Sequence, residues 1–372
     1  MTKKSGSSQL KRNSSIDGWR GIMAMLIISL HFDWQYGYPN FKTCYLAVEF
    51  FFILSGFFLM KQLSSLEEDE IDIAKVPSSI LFSKFRRFFT LNLFCILILH
   101  TWFFLMNGGQ SLMEYCNSFF DRVGEIFFLQ CSGLSLQLLN LPAWYLSALL
   151  FGCYLLAVLF CMNRKVFQYL IAPAFICFTY AFISQTVGTL DIWSSAAFGF
   201  LSYGLIRGVG GLCTGCLLYS LYRFIGQRIS ANSILPKRKR NLFVFLDLIN
   251  LVILFKLLIR RNPSQNDFLV IPCFCLIILF ASLHQGLSSK IASLRPFVLL
   301  GKISLELYLC HWFILQIDEK FFTGLPYGIN LILFFSLSIL FAAILFHAIE
   351  PLFKNVGRKI IVFFKMGKAL ET

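Results

Sequence analysis

Residues 16–61 read IDGWRGIMAMLIISLHFDWQYGYPNFKTCYLAVEFFFILSGFFLMK. Two apolar runs flank a polar stretch at 32–43, and each run approaches the roughly 20 residues that a helix needs to cross a bilayer core. The first run carries Arg20 and His31, eleven positions apart. That spacing is about 20° beyond three full turns, with a rise of roughly 16 Å. The two side chains therefore share one face, Arg20 at one membrane boundary and His31 near the other. Ionisable groups are expensive in such a segment and point to function.

The rest of the chain repeats the pattern. Of 372 residues, 57% are hydrophobic, 17% aromatic and only 14% charged, with 44 phenylalanines. A soluble domain has no use for that much apolar surface. Continuous rather than alternating runs speak against a β-barrel. The reading is an all-α polytopic transmembrane bundle with about ten spans. They fall at 17–34, 44–61, 80–106, 142–162, 166–184, 198–222, 242–259, 268–283, 297–316 and 328–349. An eleventh arises if 196–204 stands alone. Ser14 or Ser15 is available to cap the first helix. The polar N-terminus is not a secretory signal. Residues 1–15 and 355–372 read as cytoplasmic tails and 16–354 as one membrane domain.

The net charge of +14 does not indicate nucleic acid. Most of the 33 basic residues fall on segments that become cytoplasmic when both termini are inside, including Lys84, Arg86, Arg87 and the Pro236–Arg240 cluster. That asymmetry orients the chain, and contact with anionic membrane lipids is a secondary use. The twelve cysteines mostly sit in apolar runs as small core residues. Cys213 and Cys216 have a metal or redox spacing without a nearby His or acid, so no metal is expected. Cys116 and Cys131 are close enough in one outer loop for a disulfide to be considered.

Several motifs together resemble the membrane acyltransferase 3 family. They are Asp17-Gly-x-Arg20-Gly21 with His31 eleven residues after the arginine, and Ala47-Val-Glu49-Phe-Phe-x-x-x-Ser55-Gly56-Phe57. Gly301-Lys-Ile-Ser304-x-x-x-Tyr308-Leu-x-His311 and Ile349-Glu350-Pro351 are similar to that family's last motifs. Arg207 also lies in a Gly-rich helix at the place where the family has one. Lys84-Phe-Arg86-Arg87 falls where the family carries Arg-x-x-Arg, with a lysine as its first member here. At Trp144-Tyr-Leu-Ser147-Ala148-Leu149 the acid that many members carry is absent, which is the pattern of the surface-polysaccharide branch.

The resemblance implies O-acylation, usually acetylation, of a polysaccharide or its lipid-linked precursor outside the cell, with cytoplasmic acetyl-CoA (acyl-CoA) as donor. The setting would be the cytoplasmic (inner) membrane of a bacterium, multi-pass. His31 is suited to be general base, taking a proton from a sugar hydroxyl. Arg20 is an inner anchor, or else it contacts donor phosphate or orients Asp17 and the substrate. Glu49 needs a partner among its phenylalanines: Arg20, Lys302, or His31, whose tautomer it would hold. Lys84, Arg86 and Arg87 are candidates for the CoA phosphates, with positive-inside anchoring the plainer reading of each. Trp144 and Tyr145 read as a stacking wall for sugar or acyl chain, or as interfacial aromatics. Ser304, Tyr308 and His311 are candidates for lining the substrate path. Some relatives carry an added domain that handles the acyl group outside. This chain ends about twenty residues after Pro351, so direct transfer or a separate extracytoplasmic acyl-handling protein is expected. The rival reading is a proton- or ion-coupled transporter or flippase using Arg20, Glu49 and His31 as a relay.

Overall fold

A computed structural model describes residues 13–109, 111–134, 138–230, 237–349 and 351, and for 228–230 and 237–239 the backbone alone. The tails 1–12 and 352–372, Glu350 of the Ile-Glu-Pro motif, and Pro236 at the head of the basic cluster lie outside the described residues.

The chain begins with α1 (Ser14–Tyr36), α2 (Ala47–Leu63) and the long α3 (Lys75–Met106). Two short helices, α4 (Leu112–Phe120) and α5 (Val123–Ile126), fill the next loop. Then come α6 (Trp144–Met162), α7 (Arg164–Val166), which runs through one wide π turn into α8 (Ala172–Thr186), and a two-strand hairpin, β1 (Ala196–Ala197) with β2 (Leu201–Ser202). The chain continues through α9 (Tyr203–Ser230), α10 (Lys237–Leu258), α11 (Val270–Leu283), α12 (Leu287–Ala292), α13 (Arg295–Lys302), α14 (Ser304–Phe321) and α15 (Tyr327–Ile344). Among the described residues, eight helical stretches are long and apolar enough to cross a membrane, or nine if the bent pair α13–α14 is one span. α1 falls below that measure because Asp17, Arg20, Ser29, His31 and Asp33 dilute it, although its 23 residues reach roughly 35 Å at 1.5 Å per residue.

The structure departs from the sequence expectations at three places. Residues 196–204 are not an eleventh span: Ala196 pairs with Ser202 and Ala197 with Leu201 in an antiparallel hairpin that leads into α9. The helix expected over 297–316 is broken at Ile303 into α13 and α14, which meet at 72°. α13 is amphipathic, and Gly301 lies so near α1 that a Cβ there would sit 1.7 Å from the Asp17 carbonyl oxygen. The Ser304 hydroxyl, donating to the Gly301 carbonyl at 3.0 Å, secures the bend. The first helix is capped by Asn13, whose side chain accepts from the Ser15 and Ile16 amides, rather than by either serine.

Lipid offers apolar helices no hydrophobic reason to associate, so close packing and polar contacts must hold the bundle. α2 and α9 cross backbone to backbone through Gly56 and Gly215. A Cβ on the first would lie 2.0 Å from the Leu212 carbonyl oxygen and one on the second 1.9 Å from that of Ile53. α1 lies against α2, α11, α12, α13 and α14, and so carries its histidine into the bundle.

Candidate active site

His31 stands five residues before the end of α1 and faces α14. Its Nδ1 lies 3.0 Å from Nε2 of His311. The rings are 5.0 Å apart at 25°, and the edge of Trp312 stands 5.6 Å from His31. His311 is fully buried, and its Nδ1 is 3.2 Å from the Leu307 carbonyl oxygen of its own helix. Just beyond, Trp34 is 62% exposed and stacks on Trp312. Asp33 accepts from the Phe41 amide at 2.9 Å and the Tyr327 hydroxyl at 3.0 Å, which fixes the end of α1.

A cavity of about 280 Å³ opens between α1, α2, α3, α6 and α14. Arg20, Lys84 and Arg87 give it a basic side, and Ser55, Tyr145, Ser304 and Tyr308 supply hydroxyls to an otherwise apolar wall. Ile27 and Tyr308 line it as well. They precede His31 and His311 by four and three residues, so the lining ends about one helical turn short of the histidine pair, neither member of which lines it. Two of the hydroxyls are committed: Tyr308 donates to the Pro142 carbonyl at 2.6 Å and Ser304 to Gly301. Ser55 and Tyr145 bond each other at 3.3 Å, which leaves one proton of the pair for a carbonyl in the cavity.

The remaining residues singled out in the sequence separate. Asp17 is buried and pairs with Arg20 at 3.6 Å. Arg86 is exposed and does not line the cavity, whereas its neighbours Lys84 and Arg87 do. Trp144 is buried and stacks on Trp193 at 5.9 Å, behind the wall that Tyr145 forms. Glu49 meets none of the partners expected for it. Its carboxylate takes the Arg207 Nε–H at 2.9 Å and the Tyr180 hydroxyl at 2.5 Å, with all three residues buried. Arg207 also donates to the Tyr45 carbonyl at 3.1 Å. The network ties α2 to α8 and α9, and His311 rather than Glu49 is the partner of His31.

Two features of the site went unread in the sequence. Glu49 and Arg207 are opposite charges in two apolar helices, so charge balance alone could have paired them. The loop before α6 gave no such signal. There Glu125 accepts from the Leu139 and Asn140 amides at 2.8 and 2.7 Å. Asn140 in turn donates to the Leu309 carbonyl at 3.2 Å. Burial pushes the Glu125 carboxyl above its usual range despite those two amides. This loop braces α14 beside His311. The twelve cysteines are free thiols, with Cys131 buried against Trp144 and Cys116 exposed, so the disulfide considered from the sequence is not formed.

Membrane-crossing helices around a largely apolar cavity with a basic side, about one helical turn from the His31–His311 pair, define a multi-pass membrane protein with an internal site. The chain belongs to the acyltransferase 3 family, whose profile, described as an acyltransferase domain, matches residues 13–347. It is thus a membrane acyltransferase, which acts on an acyl donor and an acceptor. No curated protein and no solved structure matches it.

Proposed function

We propose that this acyltransferase moves an acyl group, acetyl in the first instance, from cytoplasmic acyl-CoA to a hydroxyl of an extracytoplasmic polysaccharide or its lipid-linked precursor, in the cytoplasmic membrane of a bacterium. The observation that carries this reading is the cavity itself. It joins two cations of α3 and one of α1 to the last turn before His31. Its volume lies near the lower end of the ligand-pocket range of about 300–1,000 Å³, which suits a thioester arm rather than a whole nucleotide. The CoA phosphates would then stay at Lys84, Arg87 and Arg20 while the arm extends along Phe51, Leu54 and Leu149.

Chemistry follows from what stands at the far end. The acceptor hydroxyl gives its proton to His31, and its oxygen attacks the thioester carbonyl carbon. The uncommitted proton of the Ser55–Tyr145 pair is placed to steady the carbonyl oxygen as charge develops there. As the C–S bond breaks, His31 returns the proton to the leaving sulfur, and the products are an O-acyl ester and free CoA. In this reading α1 enters from the basic side, and counting α1 and the bent pair among the described residues gives ten crossings, which would leave both termini on the side that the positive charges mark as cytoplasmic. Against the relay of the transporter reading, Glu49 bonds to Arg207 and Tyr180 while His31 contacts His311.

Purified protein with radiolabelled acetyl-CoA tests this. Thioester turnover should vanish in His31→Ala while CoA still binds, and Lys84→Ala with Arg87→Ala should raise KM for the donor about tenfold or more, corresponding to loss of charge-assisted contacts. Donor-independent activity, or full turnover without His31, would overturn it.

A further inference from the structure

The contact between the two imidazoles fixes more than their distance. A carbonyl oxygen carries no proton, so the 3.2 Å approach of His311 Nδ1 to the Leu307 carbonyl requires the proton on Nδ1. A neutral imidazole has one N–H, so Nε2 of His311 is left with its lone pair. That lone pair faces Nδ1 of His31 at 3.0 Å, so His31 must be the donor. The Ile27 carbonyl one turn back also accepts from the His31 ring; with the proton on Nδ1 the two acceptors share it, and the Nε2 lone pair is left over.

We infer that His311 is the positioning residue for His31: it selects the Nδ1–H tautomer and so presents the Nε2 lone pair as the base. This rests on the reading of His31 as base given above. The role matches that of the carboxylate in a Ser-His-Asp triad, which holds its histidine in tautomer and orientation, but here a neutral ring fills it. A neutral partner suits a site inside a membrane, where a buried carboxylate would need a cation of its own. When the acceptor hydroxyl gives its proton to Nε2, His31 becomes an imidazolium whose Nδ1–H is still held by His311. That bond is then charge-assisted and strengthens as the transition state forms. The C–O bond forms, the C–S bond breaks, and the proton passes from hydroxyl to sulfur through Nε2 alone. His311 neither gains nor loses one. It also has no polar atom left for a substrate, since both ring nitrogens are engaged and the side chain is fully enclosed.

Two measurements test this. Leucine at 311 removes the acceptor at similar bulk, while glutamine can place an amide oxygen near the position of Nε2. His311→Leu should lower kcat for acetyl-CoA turnover about 100-fold, within the range for losing a positioned acid–base group, with KM for acetyl-CoA within about twofold. His311→Gln should recover at least about tenfold of that loss. A raised KM for acetyl-CoA at unchanged kcat would make His311 a substrate contact, and equal losses in both variants would make it packing; either overturns the proposal. If His31→Ala is inactive while His311→Leu turns over normally, only the tautomer assignment falls. If His31→Ala is active, the base itself falls. The second measurement needs no variant. With five histidines in the chain, ring-¹⁵N spectra of the wild-type protein in lipid should show His31 protonated at Nδ1, with a coupling to Nε2 of His311. A His31 protonated at Nε2 refutes the assignment.

Discussion

Glu49 and Arg207 show how a single buried charge constrains this protein. Each sits in an apolar helix, each is enclosed, and they meet at 2.9 Å. Removing one partner leaves the other charge stranded, at a cost of about 3–5 kcal/mol. Glu49→Leu and Arg207→Leu should therefore each lower the melting temperature of the detergent-purified protein sharply. The double variant should lose clearly less than the two singles combined, which a double-mutant cycle on the melts would read. A strictly additive cycle would mean that the pair is incidental. Sequence reasoning located Glu49, and it located Arg207, yet it did not join them, because 158 residues separate the two in the chain. Arg20 and His31 were legible as a pair for the opposite reason: both lie on one helix, where spacing translates into geometry. His311 was legible as a residue but not as a partner, since helix periodicity says nothing about which helices adjoin.

Contact between elements depends on two kinds of residue that hydropathy does not weigh. Glycines set the α2–α9 crossing. Gly56→Ala would push a Cβ to 2.0 Å from the Leu212 carbonyl oxygen and should destabilise the protein by about 1–3 kcal/mol, as overpacking does. Gly226, on the same α9, has nothing within 4 Å. Gly226→Ala should instead be neutral or gain about 0.5–1 kcal/mol from helix propensity, so thermal melts of the pair separate crossing from propensity. Buried carboxylates set the loop that braces α14. Glu125 holds its proton more tightly in the folded protein than its ordinary value of 4.5 implies. The folded state then binds more protons than the unfolded chain between that value and the raised one, so stability falls as pH rises through this window. Glu125→Gln removes the titration. Melting curves of wild type should decline across the window relative to those of the variant; parallel curves would show that the carboxyl is not raised. The bend at Ile303 belongs here too. The mostly apolar stretch at 297–316 reads as one span despite Lys302 and Glu306, and only the close approach of Gly301 to α1 reveals why the chain must turn.

Across the whole molecule, the proposed route from donor to acceptor depends on which way the bundle is oriented, and the distribution of positive charge argues for the basic end facing inward. A donor made in the cytoplasm can reach Arg20, Lys84 and Arg87 only if that end faces inward. The loop that carries α4 must then face out, and it carries its own reporter. Cys116 is exposed there, whereas Cys131, later in the same loop, is buried. A membrane-impermeant maleimide added to intact cells, or to spheroplasts if an outer barrier intervenes, should label the protein, and Cys116→Ser should abolish that label. Cys177 is exposed as well, but it lies within the Arg164–Thr186 span, where a water-soluble reagent does not reach a thiol held among lipid chains. Labelling at Cys116 only after the membrane is opened would invert the bundle. The basic side of the cavity would then face away from cytoplasmic acyl-CoA, and the proposed route from donor to His31 would have no entrance.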